Sequence, residues 1–280
     1  MAGVAVVCRR VLHIYRGEFG DQVALSGVDL DIAAGECVAF VGPSGSGKST
    51  LIALMAGLMR PSAGRILIGN VEIGRLSDVE LARMRGTDIG VVLQGAERNL
   101  IGYATLDDNI WLAQRRMAKV RPKDVEPRER VAALVGLVGK GDHRVDRMPP
   151  GMRQRAALAV GLASSPALLL VDEPTSQLDR HARDEVIEAL LRVNAERGTT
   201  IVVVTHDPDV GTRLGRVVTI RDGRVGAEGR AGREFAVVAG DGTVQLPPAM
   251  LDAYPPGTLF AVEESNGTIQ FAANPPQPDG

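Results

Sequence analysis

Cysteine is scarce. Cys8 and Cys37 are the only two in 280 residues, too few and too far apart for a disulfide framework or a zinc cluster, which points to a reducing compartment and to two small core residues. A membrane-spanning run is also missing. The longest uncharged stretch lies between Arg155 and Asp172, and Ser164, Ser165 and Pro166 interrupt it, so it does not read as a spanning helix. The amino-terminal text MAGVAVVCRR puts its short apolar run before the arginines, the reverse of a secretion signal, and a cytoplasmic protein is expected. A basic surplus is lacking as well: 32 basic and 34 acidic residues leave a formal net charge of -2, which argues against a dedicated nucleic-acid binder. What is present is an ordinary globular mixture, 45% hydrophobic and 24% charged, in a chain about twice the common domain size.

From Val23 to Gly42 apolar stretches alternate with turn residues, reading as two strands around a turn at Ala34 and Gly35, the second being Cys37 to Val41. A glycine-rich loop follows, then a helical pattern from Ser49 to Leu58 that Pro61 and Gly64 end. Between Thr105 and about Ala163 the signals are helical. Thr105 is placed to cap a helix with Asp107 and Asp108 in its first turn, and Arg128 to Val138 has helical apolar spacing. The apolar runs Leu168 to Val171 and Ile201 to Val204 flank the amphipathic stretch Arg180 to Arg197, and such alternation predicts an α/β fold with a parallel sheet.

Gly42-Pro43-Ser44-Gly45-Ser46-Gly47-Lys48-Ser49, followed by Thr50, fits G-x-x-x-x-G-K-[ST] and stands between a strand and a helix, where the pattern belongs. Glycines let backbone N–H groups wrap phosphate oxygens, the helix N-terminus adds positive potential, Lys48 reaches the terminal phosphates and Ser49 is a candidate Mg²⁺ ligand. The run LLLVDE ends a buried strand with Asp172 and Glu173, at the sheet edge where ligands gather. Asp172 is the candidate metal holder and Glu173 the group that polarises an attacking water. His206 follows the next apolar strand in the same way.

Together these motifs resemble the nucleotide-binding subunit of an ATP-binding cassette (ABC) transporter, over roughly Val7 to Glu228. The resemblance implies a phosphate-loop NTPase domain over 1–229, with a helical subdomain at about 95–163, that binds and hydrolyses ATP with Mg²⁺. It makes Tyr15 the aromatic that stacks on adenine, Gln94 the Q-loop glutamine touching metal and water, Asp179 the D-loop aspartate, and His206 the switch histidine at the γ-phosphate. It also implies a head-to-tail dimer, homotypic or with another ATP-binding subunit, in which each ATP lies between one phosphate loop and the partner's Leu-Ser-Gly-Gly-Gln signature. The aligned text here is Met148-Pro149-Pro150-Gly151-Met152. Pro149 replaces the serine that contacts the γ-phosphate and Pro150 removes a backbone donor, while Gly151 keeps its N–H. The helix tolerates both prolines because first-turn N–H groups are unpaired. Weak or asymmetric hydrolysis is therefore expected, unless Arg153 supplies the missing contact.

The text after Gln94 (GAERNLIGYATLDDNIWLAQ) resembles lipoprotein-release and macrolide-efflux ATPases. That implies an integral-membrane permease as partner, a station on the cytoplasmic face of the membrane, and a groove for the permease's coupling helix. Trp111, the only tryptophan, reads first as a packed core residue and second as a groove-lining one.

After Gly229 short β-like segments follow: EFAVV, a GDG turn, TVQLP, a brief PAMLDAY helix, TLFAVEES, an NG turn and TIQFAA. A separate small β-rich module over 230–273 is expected, resembling the swapped-hairpin fold of transition-state regulators, with a frayed tail at 274–280. Residues 231–280 hold one basic residue against six acidic ones, a net of -5, so dimerisation or regulation is expected of it and not DNA reading. Two rivals to transport remain: a soluble ATPase of DNA maintenance or translation, and a nucleotide-responsive structural subunit. Only one phosphate loop is present, and the insertion lacks sustained heptads.

Overall fold

The computed structural model describes residues 3–17, 20–230, 233–238, 242–246, 250, 253–254, 258–265 and 268–273. In chain order the first half runs β1 (Val6–Tyr15), β2 (Gln22–Ile32), β3 (Cys37–Val41), α1 (Lys48–Met55), β4 (Ala63–Ile68), β5 (Val71–Glu72), α2 (Asp78–Arg85), β6 (Ile89–Val92) and α3 (Leu106–Val120). Then come α4 (Arg128–Leu134), α5 (Pro150–Leu162), β7 (Leu168–Asp172), α6 (Arg180–Arg197), β8 (Thr200–Val204), α7 (Pro208–Leu214), β9 (Arg216–Arg221), β10 (Arg224–Arg230), β11 (Arg233–Ala236), β12 (Phe260–Ser265) and β13 (Thr268–Ala273).

The main sheet has the order β11-β10-β9-β3-β8-β7-β6. Strands β9, β3, β8, β7 and β6 pair in parallel, as the strand and helix alternation predicts. Strands β10 and β11 add antiparallel at one edge. A second sheet, β2-β1-β4-β5, is antiparallel, an element that the sequence reading does not foresee.

Side chains alternate across β3 and build a core on each face of the main sheet. Cys37 and Ala39 face a core shared with α3, α5 and α6, while Val38 and Phe40 face α1 and the second sheet. Both cysteines are free and buried, and burial pushes each thiol up to about 12. The insertion between β6 and β7 carries α3, α4 and α5. Thr105 caps α3 in a capping box with Asp108, satisfying end groups that would otherwise lack partners. A salt bridge from Arg197, at the end of α6, to Glu126 ties this insertion back to the main body, and Arg130 pairs with the same Glu126 at 2.9 Å.

Two expectations are revised. Trp111 is not a core residue: it is 53% exposed on α3, with the Arg115 guanidinium 5.5 Å from its ring centroid. Leu106, Ile110 and Met117 carry the buried face of that helix instead. The chain after Gly229 does not leave the cassette at once, because Arg233–Ala236 pairs with Ala227–Arg230 as the outermost strand of the main sheet. Beyond it, Val238 bridges Val244, and β12 and β13 form a hairpin of their own; most of the expected GDG turn lies outside the described residues. Most of the expected PAMLDAY helix and the tail at 274–280 lie outside the described residues.

Candidate nucleotide site

Strand β3 ends at Val41, and the loop that follows is shaped by positions only glycine fits. Gly42 has φ 150°, and a Cβ there would stand 2.0 Å from the Ile220 carbonyl oxygen. Gly47 has φ 98°, with the Ala24 carbonyl 2.4 Å from a built Cβ. A side chain at either place would push the loop off β9 or β2. The loop is also braced from behind by the turn after β9, where the Gly223 N–H donates to the Ser46 carbonyl at 3.2 Å and the Ser26 N–H donates to the Gly223 carbonyl at 2.9 Å.

Lys48 lies in the first turn of α1. Its Nζ donates to the carbonyls of Gly42 at 2.8 Å and Pro43 at 2.7 Å, and to Ser46 Oγ at 3.3 Å. Burial pulls its ammonium below the usual lysine range, and the nearby Glu173 and Asp172 carboxylates oppose that shift. Ser49 Oγ donates to Asp172 Oδ1 at 3.2 Å. The end of β7 thus meets the start of α1. Burial pushes the Asp172 carboxyl above the usual carboxylate range, with the Ser49 hydrogen bond and the Lys48 and Arg98 charges pulling the other way.

At Glu173 the backbone turns into the left-handed region, φ 48°, which is costly for a side chain with a Cβ. Three bonds hold the turn: the Glu173 N–H donates to the Val204 carbonyl at 2.9 Å, and the Ser176 Oγ and N–H donate to the Glu173 carbonyl at 2.9 and 3.4 Å. The result brings Glu173 Oε2 within 2.8 Å of His206 Nδ1. Tyr15, at the end of β1, reaches the same region from the second sheet. Its hydroxyl is 3.1 Å from Thr50 Oγ1.

A cleft of about 460 Å³ gathers these groups. Tyr15, the loop from Ser44 through Thr50, Gln94, Glu173 and His206 line it, with Gln22 and Ala24 beside them. Of the sequence-predicted residues, Asp172 joins through Ser49, while Gly42 and Pro43 form the loop's base and accept from Lys48.

The signature and D-loop residues lie elsewhere. Pro149 is the N-cap of α5 with no side-chain cap bond, Pro150 occupies its first turn, and both are exposed. Gly151 packs against α6 so closely that a Cβ would meet the Ala182 Cβ at 2.6 Å. Arg153 and Pro150 line a separate cavity with Gln94, Ser176 and Gln177. Asp179 caps α6 by accepting from the Ala182 N–H at 2.8 Å. The sequence reading missed Gln22, Ala24 and the bracing Gly223. Only Gly223 left a local trace, the Asp-Gly turn between two apolar runs.

The donor set suits a magnesium–nucleotide complex. Ser49 and Asp172 offer adjacent oxygens at hydrogen-bond distance and Gln94 an amide oxygen on the same cleft, the hard ligands that Mg²⁺ accepts beside phosphate oxygens.

A strand feeding a glycine loop and a helix, with an acidic pair at the end of a parallel strand two places along the sheet, beyond β8, defines a phosphate-loop nucleotide-binding protein. More particularly, residues 25–176, over half of the chain, match the ABC transporter family, and the chain belongs to that family of ATP-binding, ATP-hydrolysing cassettes. It is 40% identical over 205 residues to the lipoprotein-releasing system ATP-binding protein LolD of Anaeromyxobacter dehalogenans, covering 73% of this chain and 85% of that protein. It is 38% identical over 218 residues to the macrolide export ATP-binding/permease protein MacB of Rhodopirellula baltica, covering 77% of this chain and 32% of that longer protein. Among solved structures, the dimeric bacterial ABC transporter cassette MJ0796 superposes with a TM-score of 0.72 at 32% identity, over 82% of this chain and all of that one. A dimer of the same cassette with ADP and Pi gives 0.70.

Proposed function

We propose that this chain hydrolyses Mg²⁺-bound ATP to drive a membrane permease of the lipoprotein-release or macrolide-export kind. One observation carries the reading: the phosphate loop from Ser44 to Thr50, Glu173, His206 and Tyr15 all border one cleft, and Asp172 joins it through Ser49. Tyr15 offers a face for adenine, and the loop N–H groups cradle the phosphates. Lys48 exchanges its bonds to the Gly42 and Pro43 carbonyls for the terminal phosphate oxygens. Ser49, Asp172 and Gln94 would hold the magnesium, which would supply positive charge against the charge that develops on the phosphates. Glu173 polarises the attacking water, and His206, 2.8 Å from it, orients that carboxylate and faces the γ-phosphate. Replacing Glu173 with Gln keeps the size and removes the base. Hydrolysis is expected to fall about 10²- to 10⁴-fold while ATP binding persists. Turnover within a few-fold of wild type would refute the assignment.

Support for a permease partner comes from the lipoprotein-releasing and macrolide-export relatives and from the exposed apolar side chains of the insertion, Tyr103, Trp111 and Leu112. By likeness to the lipoprotein-releasing ATP-binding proteins we place this chain beside its permease on the cytoplasmic face of the membrane; among the described residues no helix is long and apolar enough to cross one. The proline pair at the start of α5 supports weak hydrolysis as a homodimer, or pairing with a subunit whose signature is intact, with Asp179 at the interface. The chain beyond β11 is read as a small module that promotes self-association. The hairpin turns Val262, Ile269 and Phe271 to one exposed face, and two strands alone are marginally stable.

A further inference from the structure

The Tyr15 ring does not stand alone at the edge of the cleft. His13 lies two residues earlier on β1, so both side chains project from the same face of the strand. His13 is only 9% exposed, and its ring meets Tyr15 edge-on, with centroids 4.8 Å apart and planes at 86°. At the far end of the phenol, the hydroxyl lies 3.1 Å from Thr50 Oγ1 and 3.7 Å from Met59 Sδ. Thr50 belongs to α1 and borders the cleft directly after Ser49. The tyrosine is thus gripped at its ring and at its tip by two different elements.

His13 has a second unusual property. Its Nδ1 is buried with no hydrogen-bond partner. A buried polar atom without a partner costs stability, and an apolar side chain of similar size would avoid that cost. The hydrogen-bonding capacity of that nitrogen is unused, whereas the ring edge is in contact. Edge-to-face packing depends on a flat, electropositive rim, which an aliphatic side chain lacks.

We infer that His13 is a positioning residue for the base subsite: together with Thr50 it fixes the plane of Tyr15, so that adenine stacks on a preset ring coupled to the phosphate loop. The inference rests on the reading of Tyr15 as the adenine-stacking residue. A ring already held in its bound orientation loses little freedom when the nucleotide arrives, and that saving appears as affinity for the base alone. Inorganic tripolyphosphate, which has no base, is indifferent to it.

The test uses the full chain and two probes, MgATP and magnesium tripolyphosphate, titrated by calorimetry, with steady-state hydrolysis alongside. His13→Leu is expected to weaken ATP binding about two- to tenfold, the worth of one aromatic pair. Tripolyphosphate affinity and kcat stay unchanged, so the loss falls in KM. His13→Phe restores the ring edge and is expected to bind ATP like wild type. Tyr15→Phe, which releases the tip from Thr50, is expected to act in the direction of His13→Leu and decides the matter if His13→Leu does not fold. Equal weakening of both probes, or unchanged ATP affinity in His13→Leu and Tyr15→Phe while Tyr15→Ala weakens ATP, would overturn the inference. Unchanged ATP affinity in Tyr15→Ala would instead remove the stacking role itself.

Discussion

Asp172 ends a strand whose other residues are buried, and its carboxyl is pushed above the usual range chiefly by that burial. Because the folded chain holds this proton more tightly than the unfolded chain does, the stability tied to the group is full below the ordinary aspartate value near 3.9. It is lost as pH rises through the raised folded value. At neutral pH the ionised carboxylate therefore costs the nucleotide-free protein stability, a cost that a bound cation removes. Asp172→Asn carries no charge and still accepts from Ser49. The variant is expected to melt higher than wild type at pH 7 without nucleotide, with the difference shrinking toward pH 4, and to lose magnesium-dependent ATP binding. Thermal unfolding across pH checks this, and an unchanged or lower midpoint at neutral pH would contradict it. Legibility at this scale follows locality. The stretch from Gly42 to Thr50 and the Asp172–Glu173 pair were readable because each function sits in one short run of chain. Gln22, Ala24 and the loop-bracing role of Gly223 arise only when β2 and the β9–β10 turn come to rest against the phosphate loop.

Helix α5 shows how an element can keep its shape and change its chemistry. Prolines at the N-cap and first turn fit the backbone, and α5 runs intact to Leu162. The same residues strip two N–H donors from the end of the helix that carries its positive potential. Losing one hydrogen bond to a charged group costs about 1.5–3 kcal/mol, or roughly ten- to a hundredfold in the closed dimer. Pro149→Ser combined with Pro150→Gly is accordingly expected to raise the turnover of the isolated chain about tenfold or more. Equal rates for the two proteins would mean that another group, with Arg153 the first candidate, already makes the contact. Strands β6, β9 and β10 of the main sheet go unforeseen, while β3, β7, β8 and helix α6 were legible from their apolar periods, as in the run of Leu168 to Val171. The second sheet was not. Strand β1 shifts register between Arg9 and Leu12, Arg10 takes φ 47°, and Arg9 pairs with Arg65 across the sheet, so the two-residue alternation that marks a strand is broken where it would be read.

For the molecule as a whole, the point where the cassette ends matters to any truncation. Cutting after Gly229 would remove β11 and leave β10 as a bare edge. Ending the chain at Val238 retains that strand and deletes only the hairpin and the segment leading to it. This shortened protein is expected to sediment as a weaker self-associator with its nucleotide affinity intact. Unchanged sedimentation would assign the hairpin no part in assembly.

The two thiols give the intact molecule a practical property. With Cys8 wholly enclosed in β1, Cys37 at the start of β3, and both held near 12, almost no reactive thiolate exists at neutral pH. The native chain should therefore be silent to maleimide dyes. A single cysteine introduced near Pro149, and another beside the cleft of a second copy, would then be labelled without background, and energy transfer between them would read whether the two faces meet.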